Sequence, residues 1–236
     1  MERIVMKVSG EFLNGGSQNI YDVNRAKKFC DNIIKLQQNN QIALVVGAGN
    51  FMRGRDYIDW GIRRVEADEM GMLFTVANAL FIRNILLSNG IETVVMTPIQ
   101  FPGITEQYNR NIAIKLLKKG KIVIFGGGIG NPFVSTDYLA VQRSIELDAS
   151  RLLMSKNVDA VYEKDPMKNK MAKKYKQVSY AECIEKEIKV CDFSAFVLAK
   201  EFDLKMQVYA ASDIGKIIDD VNVGTYIAND IESIFY

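Results

Sequence analysis

Hydrophobic and polar positions along this chain follow two periods in turn, short β-branched runs that end in glycine and longer stretches with helical spacing. Arg3 to Val8 is an apolar run that stops at Ser9, Gly10 and Glu11, which predicts a first strand with Lys7 at its end. From Tyr21 to Gln38 the apolar residues Val23, Ala26, Phe29, Cys30, Ile33, Ile34 and Leu36 keep largely to a three-and-four spacing. That spacing predicts an amphipathic helix, with Asp22 as its cap. Ile42 to Val46 reads as a second strand and opens into Gly47, Ala48, Gly49 and Asn50. A long helix is predicted over Val65 to Leu87, with Leu73, Val76, Ala77, Leu80 and Leu87 on one face and Asn89 and Gly90 as its stop.

The alternation continues with a strand at Glu92 to Met96, a loop at Pro98 to Gly103, and a helix at Asn109 to Lys118. A strand at Lys121 to Phe125 and a helix at Tyr138 to Ser150 follow. Strands that alternate with helices predict an α/β protein, a mainly parallel sheet covered on both faces. After Ser150 the rhythm loosens. Leu152 to Ser155 and Val158 to Tyr162 read as short strands, and Lys164 to Gln177 as a polar loop. Ser179 to Lys186 and Phe193 to Phe202 read as helices, Met206 to Tyr209 as a strand, Ile214 to Asp220 as a short helix, and Gly224 to Ala228 as the strand that closes the sheet.

Composition narrows the class. A chain of 236 residues fits one sizeable α/β domain, residues 1–236. No apolar run approaches the ~18 residues of a membrane span, and no secretory leader precedes the first strand, so a cytoplasmic protein without membrane contact is expected. Thirty basic residues stand against 28 acidic ones, which gives no general field for nucleic acid. The lysines at 168, 170, 173, 174 and 176 lack interleaved aromatics apart from Tyr175 and read as a solvated loop. Cys30, Cys183 and Cys191 share no metal or disulfide spacing and are expected to be reduced and buried. Histidine is absent, which removes every mechanism that rests on imidazole.

Three glycine loops carry the candidate chemistry. They are Lys7 to Glu11, Gly47 to Arg55, and the stretch Phe125 to Asp137, FGGGIGNPFVSTD. All three fall at carboxyl ends of predicted strands, where open parallel sheets bind ligands. Glycine lets backbone amides approach phosphate oxygens while Lys7, Arg53 or Arg55 supplies positive charge. Each loop alone is equally a tight turn. There is no GxxxxGK[ST], and no GxGxxG follows the first strand, which disfavours Walker-type and dinucleotide folds.

Five segments in order carry a resemblance: KVSGE at Lys7 to Glu11, GAGNFMRG at Gly47 to Gly54, ADEMGML at Ala67 to Leu73, GIGNPFVSTD at Gly128 to Asp137 and VDAVYEKDP at Val158 to Pro166. Together they resemble the bacterial UMP kinases of the amino-acid kinase superfamily, over essentially the whole chain. The resemblance implies a three-layer αβα sandwich that transfers the γ-phosphoryl of ATP to UMP with Mg²⁺, assembles as a homohexamer, and is inhibited by UTP. Residues from about 1 to 150 would form the acceptor lobe and 151–236 the ATP-binding lobe.

On matched positions, Lys7, Val8, Ser9 and Gly10 would lie along the ATP phosphates, with Gly49 and Arg53 nearby and Lys156, Tyr162 and Asp165 around the rest of ATP. Ala48, Asp68, Ile129, Gly130, Asn131, Pro132, Phe133, Val134, Ser135 and Thr136 would hold UMP. Lys7 and Asp137 would be the catalytic pair, Lys7 neutralising transferred charge and Asp137 orienting Lys7 or a metal-bound water, with no protein residue assigned to a metal. Asp68 suits ribose hydroxyls, and Thr136 can offer a hydroxyl to uracil.

Bland roles compete at several positions: an edge charge for Lys7, a helix-dipole contact for Asp68, and core packing for Tyr162. The chain also departs from the family pattern. Ala48 replaces a frequent glycine, Ile129 replaces a frequent threonine and so removes a hydroxyl, and Asn84 stands where an acidic residue often serves GTP activation. Weaker acceptor affinity is expected from Ile129, and GTP activation is not carried over. Two other readings stay open, a relative with a carboxylate or carbamate acceptor, as in acetylglutamate or carbamate kinase, and a nucleotide sensor without turnover. Asp68 would repel a carboxylate, and the presence of both Lys7 and Asp137 counts against a sensor.

Overall fold

A computed structural model describes residues 1–51, 60–219 and 222–236. One ten-stranded sheet runs through them in the order β10-β7-β9-β8-β6-β1-β2-β5-β3-β4. The strands are β1 (Glu2–Val8), β2 (Asn40–Val46), β3 (Thr93–Thr97), β4 (Glu106–Gln107), β5 (Ile122–Phe125), β6 (Arg151–Lys156), β7 (Tyr175–Ser179), β8 (Met206–Ala210), β9 (Thr225–Ala228) and β10 (Ile234–Phe235). From β8 to β4 every pairing is parallel, whereas β9 runs antiparallel to β8 and β10 antiparallel to β7.

Alternation along the strands divides the core into two layers. Val5, Ala43, Val45, Val123, Phe125, Leu152 and Met154 face one way. They are covered by α4 (Arg110–Lys118), α5 (Thr136–Glu146), α6 (Tyr180–Glu185) and α7 (Phe193–Glu201). Ile4, Met6, Val8, Ile42, Leu44, Ile122, Ile124 and Leu153 face the other way. Over them lie α1 (Gly10–Asn14), α2 (Val23–Gln37), α3 (Arg64–Ser88) and α8 (Ile214–Asp219). Helices on both faces of a mainly parallel sheet make the αβα sandwich expected from the sequence. Asp22 caps α2 by accepting the Arg25 amide at 3.0 Å, and Asn109 caps α4 through the amides of Asn111 and Ile112.

Several local expectations are corrected. The buried face of α3 carries Met72, Thr75, Val76, Asn78, Ala79, Ile82 and Leu86, while Leu73 is 51% exposed and Leu87 46%. This helix is apolar on nearly every side, so spacing alone picks no face. By length and composition alone α3 also passes for a helix that could cross a membrane, but one side of it is packed on the sheet, as in the core helix of a folded domain. Val158 to Tyr162 is not a strand and makes one isolated bridge, Tyr162 to Lys174. Its backbone is satisfied elsewhere, because Val161 donates to the Thr225 hydroxyl at 2.9 Å and accepts from the Tyr175 amide at 2.9 Å.

The Lys164 to Gln177 segment gives up its end to β7, which starts at the fully buried Tyr175. The predicted closing strand, β9, lies inside the sheet, and β10 takes the edge with Phe235 stacked on Tyr175 at 4.4 Å. The helix predicted over Tyr138 to Ser150 begins earlier, at Thr136, and ends at Glu146, with Asp148 in the left-handed region at φ 53°. All three cysteines are buried and unpaired, and burial pushes each thiol up to about 12.

Candidate active site

The carboxyl ends of four adjacent strands, β6, β1, β2 and β5, gather the predicted loops on one edge. Pleating decides which side chains meet there. Lys7 has the parity of Val5 and Lys156 the parity of Leu152 and Met154, so both lysines project into the layer covered by α5. The first turn of α5 carries Asp137, placed by the Ser135 hydroxyl, which caps the helix by accepting the Tyr138 amide at 3.2 Å. Lys7 Nζ lies 3.0 Å from Asp137 Oδ1, and Lys156 Nζ pairs with Oδ2. A single carboxylate therefore holds two ammonium groups.

Burial opposes ionisation of Asp137, but the charges and hydrogen bonds of Lys7 and Lys156 outweigh it and hold its carboxyl at about 2. At neutral pH the group is a fixed anion and a very weak base. The Lys7–Asp137–Lys156 cluster carries one net positive charge, with Lys7 only 7% exposed, and suits an incoming phosphate. The Ser155 hydroxyl donates to the Lys7 carbonyl at 2.8 Å and ties β6 to β1 just below the lysines.

The loop after β1 meets the loop after β2 at close range. A Cβ built on Gly10 would lie 2.5 Å from both Asn50 Oδ1 and the Gly49 nitrogen, so only glycine allows this crossing. Glu11 covers Gly49, where an added Cβ would meet its Cγ at 2.8 Å, and accepts from Asn157 Nδ2 at 2.6 Å. Thr136 turns its hydroxyl to Gly47, 3.4 Å from a Cβ built there. Arg53, together with Gly54 and Arg55, lies outside the described residues.

The stretch after β5 bends through Gly127, Gly128 and Gly130, at φ 80°, 58° and 87°, and then Phe133 at φ 67°. Ile129 is half-buried against the α5 layer, whereas Phe133 is 65% exposed. Asp68 reaches this loop from α3, its Oδ2 accepting the Phe133 amide at 2.8 Å while Arg64 Nε donates to both its oxygens at 2.8 and 2.9 Å. Asp68 thus sits beside the loop as expected, with its carboxylate already engaged by protein donors. Gly130, Asn131, Pro132 and Val134 lie along the same bend.

Two openings contain predicted site residues. A cleft of about 470 Å³ is lined by Tyr162, Lys164, Asp165, Lys168, Lys186 and Val190, which brings together Tyr162 and Asp165. The Tyr162 hydroxyl donates to Asp159 at 2.7 Å, and that bond with burial pushes it up to about 12. A second hollow of about 410 Å³ lies between Glu11, Gly15, Arg25, Lys156, Asn157 and Ser212. Lys156 thus lines this second hollow rather than the Tyr162 cleft. A third hollow of about 230 Å³, between Arg151 and Gly224 at the other ends of the strands, contains none of the predicted site residues.

Spacing gave no notice of Thr75 and Asn78, which tie two of the glycine loops to α3 through Gly127 and Gly47. A polar pair three residues apart in an apolar helix is the signal that marks them.

Residues 2–210 match the model of the amino acid kinase family. Uridylate kinase from Frankia alni is 41% identical over 210 residues, 88% of this chain and 82% of that protein. The uridylate kinase of Oenococcus oeni is 40% identical over 232 residues, 95% of this chain and 96% of the relative. The crystal structure of UMP kinase from Bacillus anthracis superposes with a TM-score of 0.93 at 36% identity, covering 100% of this chain and 98% of the other. That of Ureaplasma parvum gives 0.91 at 29% identity, with 97% and 99% covered. With its sheet order, its glycine loops at the strand ends and these matches along nearly the whole length, the chain belongs to the amino acid kinase family, among the uridylate kinases.

Proposed function

We infer that this chain is a UMP kinase, which transfers the γ-phosphoryl group of ATP to UMP to give ADP and UDP in pyrimidine nucleotide synthesis. The single observation that carries the chemistry is the buried Lys7–Asp137–Lys156 cluster at the mouth of the glycine loops. Phosphoryl transfer asks the protein mainly for alignment and charge neutralisation. A UMP phosphate oxygen forms the new bond to the γ-phosphorus as the bond from that phosphorus to the β-bridging oxygen breaks. Lys7 and Lys156 offer ammonium donors to the oxygens over which charge spreads. Asp137 keeps both lysines in place. The attacking oxygen is already deprotonated, and a carboxyl held at about 2 is no base for it.

We place ATP along Lys7, Val8, Ser9, Gly10, Gly49, Arg53 and Lys156, with its base toward Tyr162 and Asp165. UMP is placed on Ala48, Asp68 and the bend from Ile129 to Thr136. In the sheet β5 lies to one side of β1 and β6, while Tyr162 bridges to Lys174 beside β7 on the other side, which supports this division. Asp68 can take ribose hydroxyls by giving up part of its contact with Arg64, a side chain 64% exposed. Both oxygens of Asp137 are already held by Lys7 and Lys156, which fits Mg²⁺ carried by the triphosphate rather than by this carboxylate. Mg²⁺ on ATP supplies charge neutralisation at the phosphates.

We propose a cytoplasmic homohexamer, single-domain in each subunit, without nucleic-acid or membrane partners and inhibited by UTP. The exposed apolar residues Leu73 and Leu87 on α3 support subunit contact. Lys174 is engaged by Asp159 at 2.9 Å and lies over the Tyr236 ring, which supports an internal role for part of the lysine loop. UTP shares the base and ribose of the acceptor. Turnover of UMP against other nucleoside monophosphates tests the assignment.

A further inference from the structure

Helix α3 carries two buried polar side chains on its sheet-facing side, and each is bonded to a different glycine loop. Thr75 Oγ1 donates to the Met72 carbonyl at 2.6 Å and accepts the Gly127 amide at 2.7 Å. Asn78, fully buried, donates from Nδ2 to the Gly47 carbonyl and to Asn50 Oδ1, both at 2.7 Å. Asn50 Nδ2 returns a bond to Asn78 Oδ1 at 3.0 Å, and Asn50 Oδ1 is also the atom against which Gly10 packs. Residues three apart share a helix face, so one rigid turn of α3 sets the distance between the loops after β2 and β5. The same stretch of helix presses on Gly126, where an added Cβ would meet Val76 Cα at 3.1 Å.

An apolar helix face has no need of an amide or a hydroxyl for packing, and both cost free energy unless fully bonded. We propose that Thr75 and Asn78 are positioning residues for phosphoryl transfer, Thr75 holding the acceptor loop through Gly127 and Asn78 holding the phosphate loop through Gly47 and Asn50. The proposal rests on the UMP kinase reading. Neither side chain touches substrate, and each acts through the backbone it holds. The two roles separate kinetically, because the loop from Gly127 carries the UMP-binding bend while the loop from Gly47 packs against Gly10 and donates to the carbonyl of Val8, next to Lys7.

The test compares Thr75→Val, Thr75→Ser, Asn78→Ala, Asn50→Ala and the Asn78→Ala/Asn50→Ala double variant with wild type. Initial rates with ATP, Mg²⁺ and UMP are measured well below each melting temperature. Thr75→Val keeps the shape but removes the acceptor for Gly127, and should raise the KM for UMP by about five-fold or more with the KM for ATP little changed; Thr75→Ser should restore it. Asn78→Ala should lower kcat by about tenfold or more, with Asn50→Ala giving a smaller loss and the double variant no worse than Asn78→Ala alone. Wild-type constants in folded Thr75→Val and Asn78→Ala, or one shared kinetic profile for both, overturn the proposal. Should Asn78→Ala not fold, wild-type kcat in Asn50→Ala overturns it. Wild-type protein run alongside separates the two levels, since no turnover of UMP by it refutes the kinase reading itself.

Discussion

Lys7 Nζ stands 3.0 Å from Asp137 Oδ1, and Lys156 occupies the other oxygen of the same carboxylate. The pairing explains how two lysines persist at a buried strand end before any phosphate arrives. It also divides the labour, with the lysines meeting substrate charge and the aspartate fixing their positions.

Lys7→Ala removes one of the two cations while Lys156 still neutralises Asp137. Turnover should fall by more than ~10²-fold, as on loss of a transition-state charge contact, with the circular dichroism spectrum retained. Steady-state kinetics on the purified variant check this, and near-normal kcat would remove Lys7 from the mechanism.

Asp137 links the site to acid stability. Its carboxyl lies at about 2 in the folded chain against an ordinary value of 3.8, so its ionised form stabilises the fold above pH 4. That contribution, roughly 2 kcal/mol, is lost as the pH falls from about 4 through 2. Urea unfolding at a series of pH values should show the loss in wild type and a flatter profile between pH 4 and 2 in Asp137→Asn. Parallel profiles would refute the linkage.

Asp68 bridges Arg64 and the Phe133 amide at the acceptor loop. In Asp68→Ala the apparent KM for UMP should rise with a smaller change for ATP. An unchanged UMP constant, measured at saturating ATP, would exclude the proposed contact with the ribose.

Gly10 lies where two loops cross. In Gly10→Ala the new methyl meets Asn50 Oδ1 and the Gly49 nitrogen at 2.5 Å, and relief requires backbone movement. A loss of about 1 to 3 kcal/mol in stability, together with reduced turnover, is expected from such overpacking. Thermal melts and kinetics of the variant would show wild-type behaviour if the crossing were loose.

Much of this architecture was legible in the chain. Runs such as Ile42 to Val46 and caps such as Asp22 and Asn109 rest on local chemistry, and local chemistry is what periodicity and capping rules read. That Lys7 closes a strand beside a glycine loop is local in the same way, whereas its pairing with Asp137 as a catalytic pair came from the resemblance to the UMP kinases. The position of Lys156 at Asp137 needed the pairing of β6 with β1, a contact between residues far apart in sequence. The burial of Asn78 was hidden because α3 is apolar on almost all sides and its pattern names no face. Val158 to Tyr162 failed as a strand because Thr225, from a distant element, takes the Val161 amide that a neighbouring strand would otherwise have taken.

The most direct test of the central claim is an acceptor panel. Purified protein with ATP and Mg²⁺ is offered UMP, CMP, AMP, GMP, acetylglutamate and carbamate separately, and ADP release is followed together with the phosphorylated product. The account predicts UDP formation from UMP at a kcat/KM well above that for every other acceptor. Equal use of CMP, or turnover of a carboxylate or carbamate in place of UMP, would contradict it.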